Sequence, residues 1–282
     1  MSQEPNARVA AARGDLSPSA LPMALALFLV WTVATYLFEG LPRTLLRPDA
    51  PGLRTAYALV VNIGVGVIGS MWILRAAVST GALSTYGTGF GSGRRAWVGV
   101  LVGTLLGATL FVAQRPPTLD PTVLLNGFSQ VLVVSIAEIL VCWAVVGASL
   151  ETTLWRRNVP LPRMWAAITA SSLFGLYHLA HSPPFNSVRM VLLLTVVGLF
   201  TSAFFFTIRS VYGTILLHNF LGLFGVLDAL ARGGRVAGLQ QAAIALVATA
   251  VGTLALLLIL HRAWLYPASA PPTNNTDTGT SR

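Results

Sequence analysis

Charge is what this sequence has least of. Of its 282 residues only 10% are Asp, Glu, Lys or Arg, whereas a soluble domain carries about 25%. That scarcity excludes an ordinary globular fold with a solvated surface. Lysine is absent, so all 18 basic residues are arginine, and against 9 acidic residues they leave a net charge of +9. The arginines stand one to three at a time between apolar segments. This is the pattern of charge in membrane-protein loops, not of a nucleic-acid-binding patch, so no nucleic-acid partner is expected. Cysteine is nearly missing as well. The single Cys142 lies inside an apolar segment and precludes an internal disulfide. No internal repeat is visible, and an inverted-repeat transporter therefore has no support in the sequence.

What is present is hydrocarbon, at 55% hydrophobic residues. Eight apolar runs recur, at roughly 20–38, 56–76, 96–114, 123–150, 164–182, 187–208, 211–230 and 239–264. Each approaches the ~20 residues that a helix needs to cross a bilayer. The runs are too long and too uniformly apolar for barrel strands, and inside lipid only helices remain. The expected fold is all-α, a polytopic membrane protein of about eight transmembrane helices. Residues 1–17 and 266–282 read as disordered tails around a single membrane domain, 18–265, with its chemistry in about 121–230. The first run is too long for a signal-peptide core and reads as a retained span. Eleven arginines fall on the N-terminal side of the spans and seven on the other. That bias predicts a cell (inner or plasma) membrane protein with both termini cytoplasmic.

Ionisable groups within spans are costly and mark functional sites by default. They are Glu138, Glu151, Arg156, His178, His181 and His218, all in or beside spans four, five and seven. Asp228 and His261 lie at span ends. The middles of the first three spans hold no ionisable group, and those spans read as scaffold. Glu138 lies thirteen residues before Glu151, about 20 Å along a helix, so the two cannot form a carboxylate pair. Glu138 is expected to bond a neighbouring helix or line a wet cavity.

Three local patterns stand out. The first is Glu151-Thr152-Thr153-Leu154-Trp155-Arg156, in which Thr152 and Arg156 share a helix face. Its bland reading is a polar cluster snorkelling to the interface. The second is Phe174-Gly175-Leu176-Tyr177-His178, followed by His181 next to Pro183 and Pro184. Here Phe174 packs beneath His178, and His181 reads as a cap or interface residue. The third is His218-Asn219-Phe220-Leu221-Gly222. Its bland reading is close helix packing through small residues.

Taken together these patterns resemble the CPBP family of intramembrane glutamate endopeptidases, the type II CAAX prenyl protease and bacteriocin-processing group also called Abi. That family carries E-E-x-x-x-R, F-x-x-x-H and H-x-x-x-N on successive membrane helices. Thr152 replaces the second glutamate here, and Gly222 the final asparagine. The resemblance implies that Glu151 activates water, that His178 shares that water, and that His218 stabilises the oxyanion. Arg156 organises the motif, Thr152 offers it a neutral oxygen, Phe174 backs His178, and Asn219 is the nearest substitute for the missing asparagine. No cofactor is implied. The lower-ranked alternative is zinc held by Glu151, His178 and His218. The implied partners are a membrane-associated protein or peptide substrate, cut near the cytoplasmic face, and the lipid bilayer. Prenylated C-termini, leader peptides and sorting tails all suit the family, and oligomeric state is not written in the sequence. Two other functions compete. One is an inactive family member acting as scaffold or regulator, motivated by Thr152 and Gly222. The other is a proton-coupled transporter using Glu138 and the histidines.

The protease reading requires Glu151, His178 and His218 to converge. One mismatch stands against it. His178 lies about 21 Å along its span, whereas Glu151 and His218 lie only about 10 Å deep.

Overall fold

The computed structural model describes residues 19–43, 51–241 and 243–266. The expected tails, 1–17 and 266–282, lie outside them apart from Tyr266. Among the described residues every regular element is helical, apart from an isolated bridge between Phe90 and Ser210. Eight helices make up the bundle: α1 (Leu21–Gly40), α2 (Gly52–Ser79), α3 (Gly93–Ala113), α4 (Pro121–Arg156), α5 (Pro162–Tyr177), α6 (Val188–Ile208), α7 (Val211–Arg232) and α8 (Ile244–Leu265). Seven of these are long and apolar enough to cross a membrane. The exception is α5, which has 16 residues and ends in a tight turn, His178–Ala180. An eighth full span at 164–182 was expected; the prolines that follow cut that helix short.

Helix starts follow local chemistry. Pro121 opens α4, and the Asp120 carboxylate accepts from the Thr122 and Val123 amides at 2.8 and 3.0 Å. Ser187 and Ser210 cap α6 and α7 in the same way. α4 is the hub: 94% of its most apolar stretch is buried within the protein, against 22% for α1, α3 and α8. The peripheral helices turn large apolar side chains outward, among them Leu29, Trp97, Leu192 and Val251. In a bilayer these face lipid at no cost.

Close approach of helices positions the rest. α3 and α7 touch backbone to backbone, and a Cβ on Gly103 would stand 2.2 Å from the Gly213 carbonyl oxygen. Gly198 on α6 lies against Ser171 and Phe174 of α5. The helical backbone also widens to i→i+5 bonding at Tyr36–Gly40, Tyr57–Gly69, Ile139–Gly147 and His261–Leu265. Such widening concentrates at functional sites. Here the first three segments carry or adjoin Glu39, Tyr57 and Glu138.

Candidate active site

The carboxylate that meets the histidines is Glu138. It sits on the inward face of α4, one residue before the backbone widens, and is buried. Oε2 lies 3.0 Å from Nε2 of His218 on α7. Oε1 lies 3.8 Å from Nε2 of His178, at the C-terminal end of α5. Both imidazoles are held from behind. His178 Nδ1 stands 2.8 Å from the Phe174 carbonyl oxygen, and His218 Nδ1 stands 3.1 Å from the Thr201 hydroxyl. That hydroxyl donates its own hydrogen to the Val197 carbonyl at 2.9 Å, so it can only accept from His218. Phe174 presents its ring edge-on to both imidazoles, with centroids 4.7 Å from His178 and 5.2 Å from His218. Trp143 closes the floor against Phe174 and His218, and its indole N–H donates to Ser202 at 2.6 Å.

These contacts constrain where protons sit. With Nδ1–H of each ring directed to its backing oxygen, a neutral His178 or His218 turns a bare Nε2 toward Glu138. A carboxylate and two bare nitrogens would repel one another. The cluster therefore holds at least one proton, shared across the 3.0 Å His218–Glu138 contact. The His178–Glu138 separation of 3.8 Å is too long for a direct hydrogen bond.

Glu151 is not in this cluster, and the expected convergence of Glu151 with His178 and His218 does not occur. Its Oε1 lies 2.5 Å from Arg209 Nη2 and 3.1 Å from Arg163 Nε. Arg209 is itself buried; it also donates to the Gly87 carbonyl at 3.0 Å and packs over Tyr86 and Phe206. Arg156 reaches the carbonyls of Gly81 and Ala82, and Thr152 is half-buried on the same turn. The polar group at this end of α4 ties loops together.

The remaining expectations divide. Phe174 backs His178 as expected. Asn219 does not face the cluster: it accepts from Ser135 at 3.2 Å and donates to the Phe128 carbonyl at 3.3 Å, locking α7 to α4. Gly222 is a packing position, where a Cβ would lie 2.9 Å from Val131. His181 is buried, stacked on His178 at 5.1 Å, and lies beside Glu39 of α1, so it belongs to the site's wall rather than to an interface. α1 is not mere scaffold either, because it extends past the expected end at residue 38 to carry Glu39 inward.

Depth along the helices was a partial signal for Glu138. Counted from the Arg156 end of α4, Glu138 lies about 27 Å along the helix, close to the ~24 Å of His178 along α5 from Pro162. His218, only about 10 Å along α7, matches Glu151 better, so depth alone does not select Glu138.

Residues 120–224 match a family model described as Type II CAAX prenyl endopeptidase Rce1-like. This segment resembles the Rce1-like family. It contains Glu138, His178 and His218, and the match supports a CAAX-type protease kind of function in a multi-pass membrane protein. No curated protein and no solved structure matches the chain. Read from Glu138, the first Rce1-like motif becomes Glu138-Ile139-Leu140-Val141-Cys142-Trp143. The second glutamate is then Ile139 and the arginine Trp143, both apolar and buried.

Donor types that suit a metal are also gathered here. Ligand atoms of Glu138, His178 and His181 lie within 4.8 Å of one another. A zinc tetrahedron with bonds of 2.0–2.1 Å has edges of roughly 3.4 Å. The His178–Glu138 edge is 3.8 Å. Glu138 and His218 are hydrogen-bonded to each other, and His181 is turned to Glu39. The His₂Glu set expected with Glu151 is not assembled, because Glu151 is paired with Arg209 and Arg163.

Proposed function

We propose that this chain is an intramembrane endopeptidase in which Glu138, not Glu151, activates the water. The observation that carries the reading is the convergence of Glu138, His178 and His218 from three helices onto one buried point. Water joins Glu138 Oε1 and His178 Nε2, the two atoms too far apart to bond directly. As its oxygen attacks the scissile carbonyl carbon, one water proton passes to Glu138. His218, protonated at Nε2, donates to the oxyanion that forms. Collapse of the tetrahedral intermediate breaks the C–N bond, and the departing nitrogen takes up a proton. In a site shielded from bulk water, one such oxyanion donor is worth about 10²–10³ in rate. The histidine backing by Phe174 and Thr201 fixes both rings before substrate arrives, so little reorganisation is needed at the reacting moment.

The substrate is proposed to be a membrane-associated protein or peptide presented from the lipid. The arginine bias supports both termini on the cytoplasmic side of a cell membrane. A cut near the cytoplasmic face rested on Glu151 and is not carried over. With Glu138 as base the reacting centre lies inside the bundle, toward the end where α1 finishes at Gly40. The motive for the inactive-relative reading moves from Thr152, which stands outside the cluster, to Ile139 and Trp143, and loss of processing with Glu138→Gln decides against it. No observation favours the transporter over the protease.

The test is comparative proteomics of membranes from cells carrying wild-type protein, Glu138→Gln or Glu151→Gln. The proposal requires a membrane precursor that accumulates uncut with Glu138→Gln and is processed with Glu151→Gln. The reverse pattern would restore Glu151, and no accumulation with either variant would remove the protease reading.

A further inference from the structure

One buried carboxylate next to the Glu138 centre has no part in the mechanism above. Glu39 lies on α1, outside the Rce1-like match at 120–224, and is fully buried. An ionised group so placed is costly unless it is paired and hydrogen-bonded. Two residues of the turn that follows α5 meet it, Ser182 and His181. The Ser182 amide donates to Oε2 at 2.9 Å, and the Ser182 hydroxyl donates to Oε1. His181 Nδ1 lies 2.9 Å from Oε2, off the straight line of a hydrogen bond, so proximity of charge holds this contact more than bond alignment does.

The chain is shaped to make this meeting possible. Gly40, next to Glu39, packs so tightly on the turn that a Cβ would stand 2.2 Å from the Ala180 carbonyl oxygen. Trp31 of α1 stacks on Tyr177 at 3.9 Å, and Thr35 and Tyr57 reach the Tyr177 hydroxyl at 3.3 and 3.4 Å. His181 is pressed from the other side by His178, with rings 5.1 Å apart and 26° from parallel. With Nδ1 toward Glu39, His181 Nε2 is buried with no hydrogen-bond partner. Ligand atoms of His181, His178 and Glu138 fall within 4.8 Å of one another. A carboxylate, an imidazole with one nitrogen unengaged, and the catalytic carboxylate thus lie in one unbroken row.

We propose that Glu39 and His181 form a second acid–base unit serving the Glu138 centre: Glu39 is a positioning residue that orients His181, and His181 Nε2–H gives the departing amide nitrogen its proton. This rests on Glu138 being the water-activating base. The balance is complete. Water yields one proton to Glu138 and its hydroxyl to the acyl carbon, and the C–N bond breaks. His181 supplies the proton that the new amine needs, and the proton on Glu138 then returns to His181 through a bridging water, since ligand atoms of the two lie within 4.8 Å of each other. Titratable groups facing the pair are Tyr57 on α2, Glu138 on α4, and Tyr177 and His178 on α5.

Two measurements on the full-length protein in detergent test the proposal. The first needs no substrate. In ¹⁵N-histidine-labelled protein, with the four histidines assigned by single substitution, Glu39→Gln is expected to change the ring-nitrogen signals of His181 and leave those of His218. Unchanged His181 signals overturn the pairing. The second uses the precursor segment whose processing Glu138→Gln abolishes, made once with the natural amide and once with an ester at the cut bond. An ester's leaving oxygen needs little proton assistance. Glu39→Gln and His181→Gln are each expected to lower kcat for the amide about 10²-fold, with KM held, and to spare the ester within a few-fold. Equal loss on both substrates, or a loss that tracks a lowered melting temperature, would make Glu39 a structural tie between α1 and the turn. Glu39→Asp, which keeps the carboxylate, is expected to recover part of the amide rate. Failure of the Glu138 reading looks different: Glu138→Gln then abolishes no processing, whatever Glu39→Gln does to the His181 signals.

Discussion

Two carboxylates on α4 occupy opposite surroundings. Glu138 meets two imidazoles, at 3.0 and 3.8 Å. Glu151 meets two guanidiniums, at 2.5 and 3.1 Å. A guanidinium never gives up its proton under ordinary conditions, so it holds a carboxylate as a fixed anion with its lone pairs engaged. An imidazole exchanges protons near neutral pH and can share one with a carboxylate. The same side chain is thereby a clamp at one end of the helix and, in the proposed mechanism, a base in its middle. Burial sharpens the difference, because Glu138 is buried among histidines that Trp143, Phe174 and Tyr177 pack against, whereas Glu151 stands beside an exposed Arg163.

The comparison can be broken by exchanging charge for shape. The largest effect is expected at Glu138→Gln, with precursor cleavage reduced at least ~10³-fold, since general-base assistance and the oxyanion donor held by the same contact are both lost. Single-turnover cleavage of the accumulated precursor checks this, and the melting temperature should move little. Glu151→Gln should do the opposite. It leaves the buried Arg209 guanidinium without its carboxylate, which costs about 3 kcal/mol of stability. Thermal unfolding in detergent reads that loss, while residual cleavage per folded molecule stays near wild type. A folded Glu151→Gln protein without activity would collapse the distinction.

Smaller changes sharpen it. Thr201→Val removes the acceptor behind His218 and leaves its Nδ1–H unpaired in a buried site. The expected penalty is about 1–3 kcal/mol, seen as a roughly tenfold or greater fall in kcat with KM held. Arg163→Gln takes away the exposed half of the Glu151 pair and should change stability by less than ~1 kcal/mol. Gly222→Ala should be similarly mild, because the crowded neighbour is the end of a single valine side chain. Gly222→Asn, which would complete the third family motif, should give no gain in rate, since that position faces α4 packing and not Glu138.

Much of this architecture was legible in the amino acids. The apolar runs and the concentration of ionisable groups in the second half both follow from composition. His178 and His218 were identified by their motifs, and Phe174 by its i,i+4 spacing. Glu138 is legible as an ionisable group in a span, but Arg156 lies near Glu151 and completes a motif there. Arg209, that glutamate's partner, lies 58 residues further along the chain, out of reach of any local pattern. Glu39 lies just past the end of the first apolar run, and the helix continues two residues beyond that end to Gly40, which packs on Ala180.

Hydrophobic content and period determined from the sequence alone that this is a helical bundle in a membrane, because lipid tolerates no other backbone arrangement at this length and composition. Which glutamate faces the histidines was decided only in three dimensions. Position along a tilted helix, and the guanidiniums or imidazoles brought alongside by other helices, set whether a carboxylate is neutralised or left to exchange protons, and neither is encoded in residues near it in the chain.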